Sequence, residues 1–210
     1  MEKQTVHLFV FHTLSDWEAS YVLPMLNDPA GRYRVQTVGV SREAVKTSGG
    51  VTILPDMALT ELEPAQSALL ILPGSDHWAQ GKYPDAIEKA KAFLAADVPV
   101  AAICGATAGL ALAGMLDNRP HTSNAREYLQ ALGYGGAAYY QDQLVVTDGN
   151  LITANATAPV DFAYHILKKL HVHSSRVLDA WYGLFKTSEP AYFFEWQQAA
   201  AEERANAQTF

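Results

Sequence analysis

Three short segments of this chain are apolar almost without a break: Val6–Phe11 (VHLFVF), Ala68–Leu72 (ALLIL) and Val98–Ile103 (VPVAAI). A strand with one wetted face alternates apolar and polar residues. A strand that does not alternate must be covered on both faces. The covers lie between and after these runs. Ser15 or Asp16 can cap a helix running to about Leu26. Pro84–Ala96 is amphipathic with proline in its first turn. Gly105 to about Ala113 is helical and made of small apolar residues. Thr157 can cap a helix over Pro159–Leu170. Buried strands that alternate with helices predict an α/β sandwich, with a mostly parallel sheet and helices on both faces.

Smaller elements fill the gaps. Arg34–Val40 alternates and reads as a further strand. Ser48-Gly49-Gly50 before VTIL predicts a small hairpin over Thr47–Leu54. Asp148-Gly149-Asn150 between Leu144–Thr147 and Leu151–Ala154 predicts another. Asn124–Leu132 reads as a short helix stopped at Gly133. Residues 1–172 form the expected α/β domain. Residues 173–210 form an aromatic-rich helical extension, with patterns over Ser174–Lys186 and Pro190–Ala205, packed on the domain or at a homodimer interface.

Charge and composition narrow the function. Lys plus Arg number 15 against 22 Asp plus Glu, a net charge of −7. No basic run is present, so nucleic acid is not an expected partner. The 19 residues Val98–Leu116 carry no charge, yet they hold Pro99 and three glycines; a buried strand running into a buried helix explains them better than a membrane span. The start, MEKQTVHLFVFHTL, lacks a net basic segment and a small-residue cleavage site. With the single cysteine, Cys104, it suggests a cytoplasmic place and excludes an internal disulfide. Neither a Walker loop nor a dinucleotide fingerprint occurs, so no cofactor is expected. His12, Asp16, Asp76 and His77 lack metal-ligand spacing, so no metal is expected either.

The chemistry concentrates at Val100–Leu112 (VAAICGATAGLAL), where a buried strand stops at Cys104 and small residues open a helix. Strand, tight turn and helix are the setting of a nucleophile elbow. The helix N-terminus favours thiolate, and the Gly105 amide is placed to stabilise an oxyanion. A buried structural cysteine is the alternative reading of the same pattern. The loop Gly74–Trp78 follows another buried strand and so reaches the same sheet edge. Its Gly74 and Ser75 amides are candidates for the second half of an oxyanion hole, and His77 for a partner to the thiol. Asp16 and Glu18 follow the first strand at that edge, Glu18 a candidate to take the thiol proton and Asp16, like His77, a candidate oxyanion or substrate contact. His12 and His121 are weaker candidates; His165, His171 and His173 read as solvated.

These segments resemble the ThiJ/PfpI superfamily, also called class I glutamine amidotransferase-like, which includes redox proteins, intracellular proteases and glyoxalases. The resemblance rests on Asp16-Trp17-Glu18, LLILPG, AAICGATAGLA and DGNLITANATAPVDFAYHILKKL, in order from Val6 to about Leu170. It implies a flavodoxin-like three-layer sandwich, Cys104 at the elbow, Glu18 hydrogen-bonded to it and Gly74 in the oxyanion loop. One departure matters. Many members carry a histidine beside the cysteine in a Thr-Thr-His segment, and aligning on Thr122-Ser123 puts Asn124 there. Asparagine takes no proton but can orient a substrate carbonyl. The expected function is a cysteine-dependent enzyme acting on a small carbonyl or acyl substrate, glyoxalase-like or hydrolase-like. A redox-sensing stress protein that oxidises the same thiol, or a non-catalytic interaction module, are the alternatives.

Overall fold

The computed structural model describes residues 2–207. In chain order its elements are β1 (Gln4–Phe9), α1 (Val22–Leu26), β2 (Tyr33–Gly39), β3 (Val45–Lys46), β4 (Thr52–Ile53), β5 (Met57–Ala58), β6 (Leu69–Leu72), α2 (Pro84–Ala95), β7 (Val100–Ile103), α3 (Gly105–Leu112), α4 (Arg126–Gln130), β8 (Val145–Asp148), β9 (Leu151–Ala154), α5 (Pro159–Lys169), α6 (Ser175–Thr187) and α7 (Pro190–Ala207). Seven strands form one sheet in the order β5-β2-β1-β6-β7-β9-β8. All neighbours are parallel except β8 against β9. Strands β3 and β4 make the small antiparallel hairpin that Ser48-Gly49-Gly50 predicts.

The unbroken apolar runs are covered on both faces, as such runs require. All four residues of β6 and all four of β7 are 0% exposed. The order reverses direction at β1, whose neighbours β2 and β6 continue the chain to opposite sides. A crevice beyond the carboxyl ends of β1, β6 and β7 is therefore the place where this architecture accepts ligands. No helix of the described residues is long and apolar enough to cross a membrane. The uncharged stretch Val98–Leu116 divides into β7, a turn at Cys104, and α3.

Several local expectations are corrected. The helix expected from Ser15 or Asp16 is confined to Val22–Leu26. The Asp16 carboxylate does not cap it; it accepts the Gly49 amide at 2.6 Å and the Ser48 hydroxyl at 3.0 Å. Asp16 thus latches the β3–β4 turn, while Glu18 and Ala19 of the same segment are buried. Thr157 does not cap α5 either, because its amide and hydroxyl both donate to Asn155 Oδ1. The helix expected from Asn124 begins at Arg126. His165 and His173 are half-buried, not solvated, and bond to Thr147 Oγ1 at 2.8 Å and Glu203 Oε1 at 2.7 Å.

Helix α6 packs on α5, and α7 packs on α6. Tyr182 and Lys186 of α6 both donate to Asp161, at 2.8 and 2.6 Å, and Tyr182 stacks on Tyr164. Trp181 is 2% exposed, whereas Phe194 of α7 is 70% exposed.

Candidate active site

Cys104 ends β7 with φ 58° and ψ −127°, a conformation that costs an L-residue of order 1–3 kcal/mol. Hydrogen bonds on both sides hold it there. Its amide donates to Ala154 O at 2.9 Å. Its carbonyl accepts the Thr107 amide at 3.1 Å and the Thr107 hydroxyl at 2.6 Å. The turn is tight because small residues surround it. A Cβ on Gly105 would run into the Ser75 carbonyl, so the loop after β6 can press on the elbow only over a glycine.

Glu18 arrives from the turn segment after β1 and is 1% exposed. Its Oε2 accepts the Gly74 amide. Its Oε1 is buried without a hydrogen-bond partner among the described residues. A Cβ on Gly74 would stand 2.9 Å from both that Oε1 and Cys104 Sγ. Gly74 is therefore the gap through which carboxyl and thiol approach each other. This corrects one expectation. The Gly74 amide cannot serve an oxyanion, because Glu18 already holds it.

The electrostatics of the pair also depart from expectation. Burial pushes the Glu18 carboxyl up to about 7, against smaller downward pulls from the Gly74 amide and the Cys104 thiol. Burial, and then the Glu18 charge, push the Cys104 thiol up to about 11. The Asn124 amide and the Gly105 N–H pull it down, but by less. The favourable helix terminus predicted from sequence is thus outweighed.

Asn124 stands where the sequence alignment puts it. Its Nδ2 donates to Cys104 Sγ at 3.4 Å. Its Oδ1 accepts the Ala156 amide at 3.0 Å, and that bond fixes which end of the amide faces the sulfur. The cleft over the thiol has a volume of about 400 Å³ and is walled by Thr13, Trp17, Ser75 and His77. Asp16 and His12 are withdrawn from the chemistry, since His12 Nδ1 accepts the Lys46 amide and, like Asp16, serves the hairpin. His121 is 0% exposed and bonds to Arg119 O and Tyr134 OH. Tyr128 on α4 was not singled out from sequence. Its hydroxyl is pushed up by burial and, to a smaller extent, by the nearby charges of Cys104 and Asp76. A larger cavity of about 540 Å³, around His7 and Arg34, opens where β1 and β2 begin and holds neither Cys104 nor Glu18. No group of three or more His, Cys, Asp or Glu among the described residues is arranged to hold a metal ion.

Comparison with known proteins shows what the chain is similar to. A Bacillus subtilis (strain 168) protein named "Uncharacterized protease YoaZ" is 42% identical over 205 residues, 93% of this chain and 97% of that protein. The crystal structure of a thiJ/pfpI family protein from Bacillus anthracis superposes with a TM-score of 0.88 at 39% identity, covering 95% of this chain and 98% of the other. A DJ-1 superfamily protein from Agrobacterium tumefaciens superposes with a TM-score of 0.80 at 29% identity, over 90% and 99% of the two chains. The model of the DJ-1/PfpI family matches residues 4–169, which run from β1 through α5 and include the elbow, the Gly74 loop and Glu18. On that match and those relatives, the chain belongs to the DJ-1/PfpI family.

Proposed function

We propose that this chain is a cysteine-dependent enzyme acting on a small carbonyl or acyl substrate, with Cys104 as nucleophile and Glu18 as its proton acceptor. One observation carries the reading. The buried, unpartnered Glu18 Oε1 stands on the thiol's side of Gly74, and burial brings its carboxyl to about 7. A group that titrates near neutrality is suited to take a proton and return it. As Sγ bonds to the carbonyl carbon, the thiol proton passes to Glu18 and the carbonyl electron pair moves onto oxygen. Glu18 returns that proton to the new oxygen, which leaves a hemithioacetal and a free carboxylate; on a dicarbonyl the carboxylate then carries the proton of the attacked carbon to the neighbouring carbon, while the hydroxyl proton passes to the second oxygen. The resulting thioester is hydrolysed to a hydroxy acid, which restores the thiol.

This sequence asks less of the site than amide hydrolysis does. Cleaving an amide needs a base for water and an acid for the leaving amine, and Asn124 at the thiol supplies neither. The word protease in a relative's name therefore weighs less here than the aldehyde chemistry. Turnover of glyoxal by wild type, Cys104→Ala and Glu18→Gln tests the proposal. Activity in the wild type and its loss in both variants is expected; undiminished turnover by Cys104→Ala would reject it.

A further inference from the structure

Glu18 occupies the Gly74 amide, and the Gly105 N–H is turned to the sulfur. Beside the Ser75 amide, the oxyanion that forms when Sγ adds to a carbonyl therefore draws on a side-chain donor of the cleft wall. We infer that His77 is that donor, acting as a neutral imidazole through Nε2–H. This rests on the reading of Cys104 as nucleophile.

The surroundings of His77 fix both its tautomer and its place. Nδ1 lies 2.9 Å from Tyr83 Oη and 3.4 Å from Thr13 Oγ1. Burial pushes the Tyr83 hydroxyl up to about 12, so it keeps its proton and has it to give. Its other acceptor, the His12 carbonyl, is 3.5 Å away, so the shorter bond goes to the imidazole. An Nδ1 that accepts leaves the ring proton on Nε2. Burial, with the charge of Lys82, also holds His77 below the ordinary histidine range, so the ring is neutral at pH 7. His77 walls the same cleft as Cys104.

The backbone supports the same assignment. Thr13 adopts φ 71°, which a β-branched residue rarely does. That conformation places its hydroxyl 2.9 Å from Ser75 Oγ and beside His77 Nδ1. Ser75 Oγ in turn accepts the His77 amide at 3.2 Å. Thr13, Ser75 and Tyr83 are thus positioning residues for the imidazole. Non-glycine residues at positive φ on a cleft wall are characteristic of functional sites.

The test uses propanal, which adds to a thiol but has no second carbonyl to carry the reaction further. The Sγ–C bond forms, the thiol proton goes to Glu18 and then to the new oxygen, and the adduct stops at a hemithioacetal whose oxygen still accepts the Nε2–H of His77. Protection of Cys104 from iodoacetamide by propanal measures the adduct in wild type, His77→Ala and His77→Gln. We expect protection to weaken about tenfold in His77→Ala, the scale of one lost hydrogen bond. It should be partly restored by glutamine, whose amide donates but cannot act as a base. Alkylation without propanal should stay within twofold of wild type, because displacement of iodide creates no oxyanion. Equal protection in wild type and His77→Ala overturns the inference, as does a glutamine variant no better than alanine. Alkylation that falls in parallel overturns it too, by assigning His77 to the thiol itself. No protection in the wild type rejects the nucleophile reading and the inference with it.

Discussion

Glu18 Oε1 and Cys104 Sγ both lie 2.9 Å from the point where a side chain on Gly74 would begin. A carboxyl and a thiol that face each other across a missing methyl group compete for one proton in a poorly solvated space. Which of them holds it sets reactivity, stability and substrate choice together.

The first consequence is a divergence between two kinds of thiol reactivity in Glu18→Gln. Above about pH 7 the wild-type carboxylate is charged and opposes thiolate formation. Glutamine removes that charge, so the pH profile of iodoacetamide alkylation should move to lower pH. Carbonyl turnover should nevertheless fall about 100-fold or more, since the proton acceptor is gone. Alkylation that moves to higher pH would show that a protonated Glu18 assists the thiolate, the sign suggested by the helix terminus alone.

That sign illustrates what the sequence can and cannot disclose. The strand runs, the elbow at Cys104 and the hairpin at Ser48-Gly49-Gly50 rest on local chemistry and are legible. Asp16 and Glu18 are two residues apart in one turn segment, and their fates differ through distant partners. Asp16 meets Gly49 of the hairpin, and Glu18 meets Gly74, 56 residues on. The role of the Gly74 amide and the thiol pKa depend on that second meeting, which no periodicity encodes. Tyr128 is missed for the same reason: its closeness to Cys104 comes from how α4 lies beside the elbow.

A second consequence concerns stability. The folded-state pKa of Glu18 is raised from 4.5 to about 7. Between those values the folded chain binds the extra proton, so stability falls as pH rises through the window, by about 3 kcal/mol at about 1.4 per pH unit. His7 behaves oppositely. Its folded-state pKa is lowered from 6.5 to about 4, by burial and then by Arg34. Its contribution is present above 6.5 and lost as pH falls towards 4. Between 4.5 and 6.5 the two slopes oppose each other. Glu18→Gln removes one, so its urea midpoint relative to wild type should be higher at pH 8 than at pH 4.5. An unchanged difference between the two pH values would mean that Glu18 is not buried in its protonated form.

Gly74→Ala tests the gap itself. The new methyl would stand 2.5 Å from Cys104 Cβ and 2.9 Å from both Sγ and Oε1. Backbone freedom is not at issue, because Gly74 does not have a positive φ. Overpacking of this kind costs ~1–3 kcal/mol. It should also part the thiol from Glu18 and lower carbonyl turnover at least 100-fold. A variant that keeps wild-type turnover would show that the carboxyl and thiol need no such approach.

Charge on the cleft wall sets the last prediction. Asp76 and Cys104 line it together with Thr13, Ser15, Ser48 and Ser75, and among the described residues no lysine or arginine does. Glu18, beneath the thiol, adds a second acid once it has given up its proton. An anionic substrate would meet these acids with no cation lining the wall among the described residues, and a neutral one would not. Glyoxal and glyoxylate present the same aldehyde and differ chiefly in whether the neighbouring carbon carries a charge. We expect kcat/KM for glyoxal to exceed that for glyoxylate by at least tenfold, which is about 1.4 kcal/mol of discrimination. The preference should narrow in Asp76→Asn, through a lower KM for glyoxylate at little change in kcat. Equal use of both substrates by the wild type would place the reacting carbonyl away from this wall.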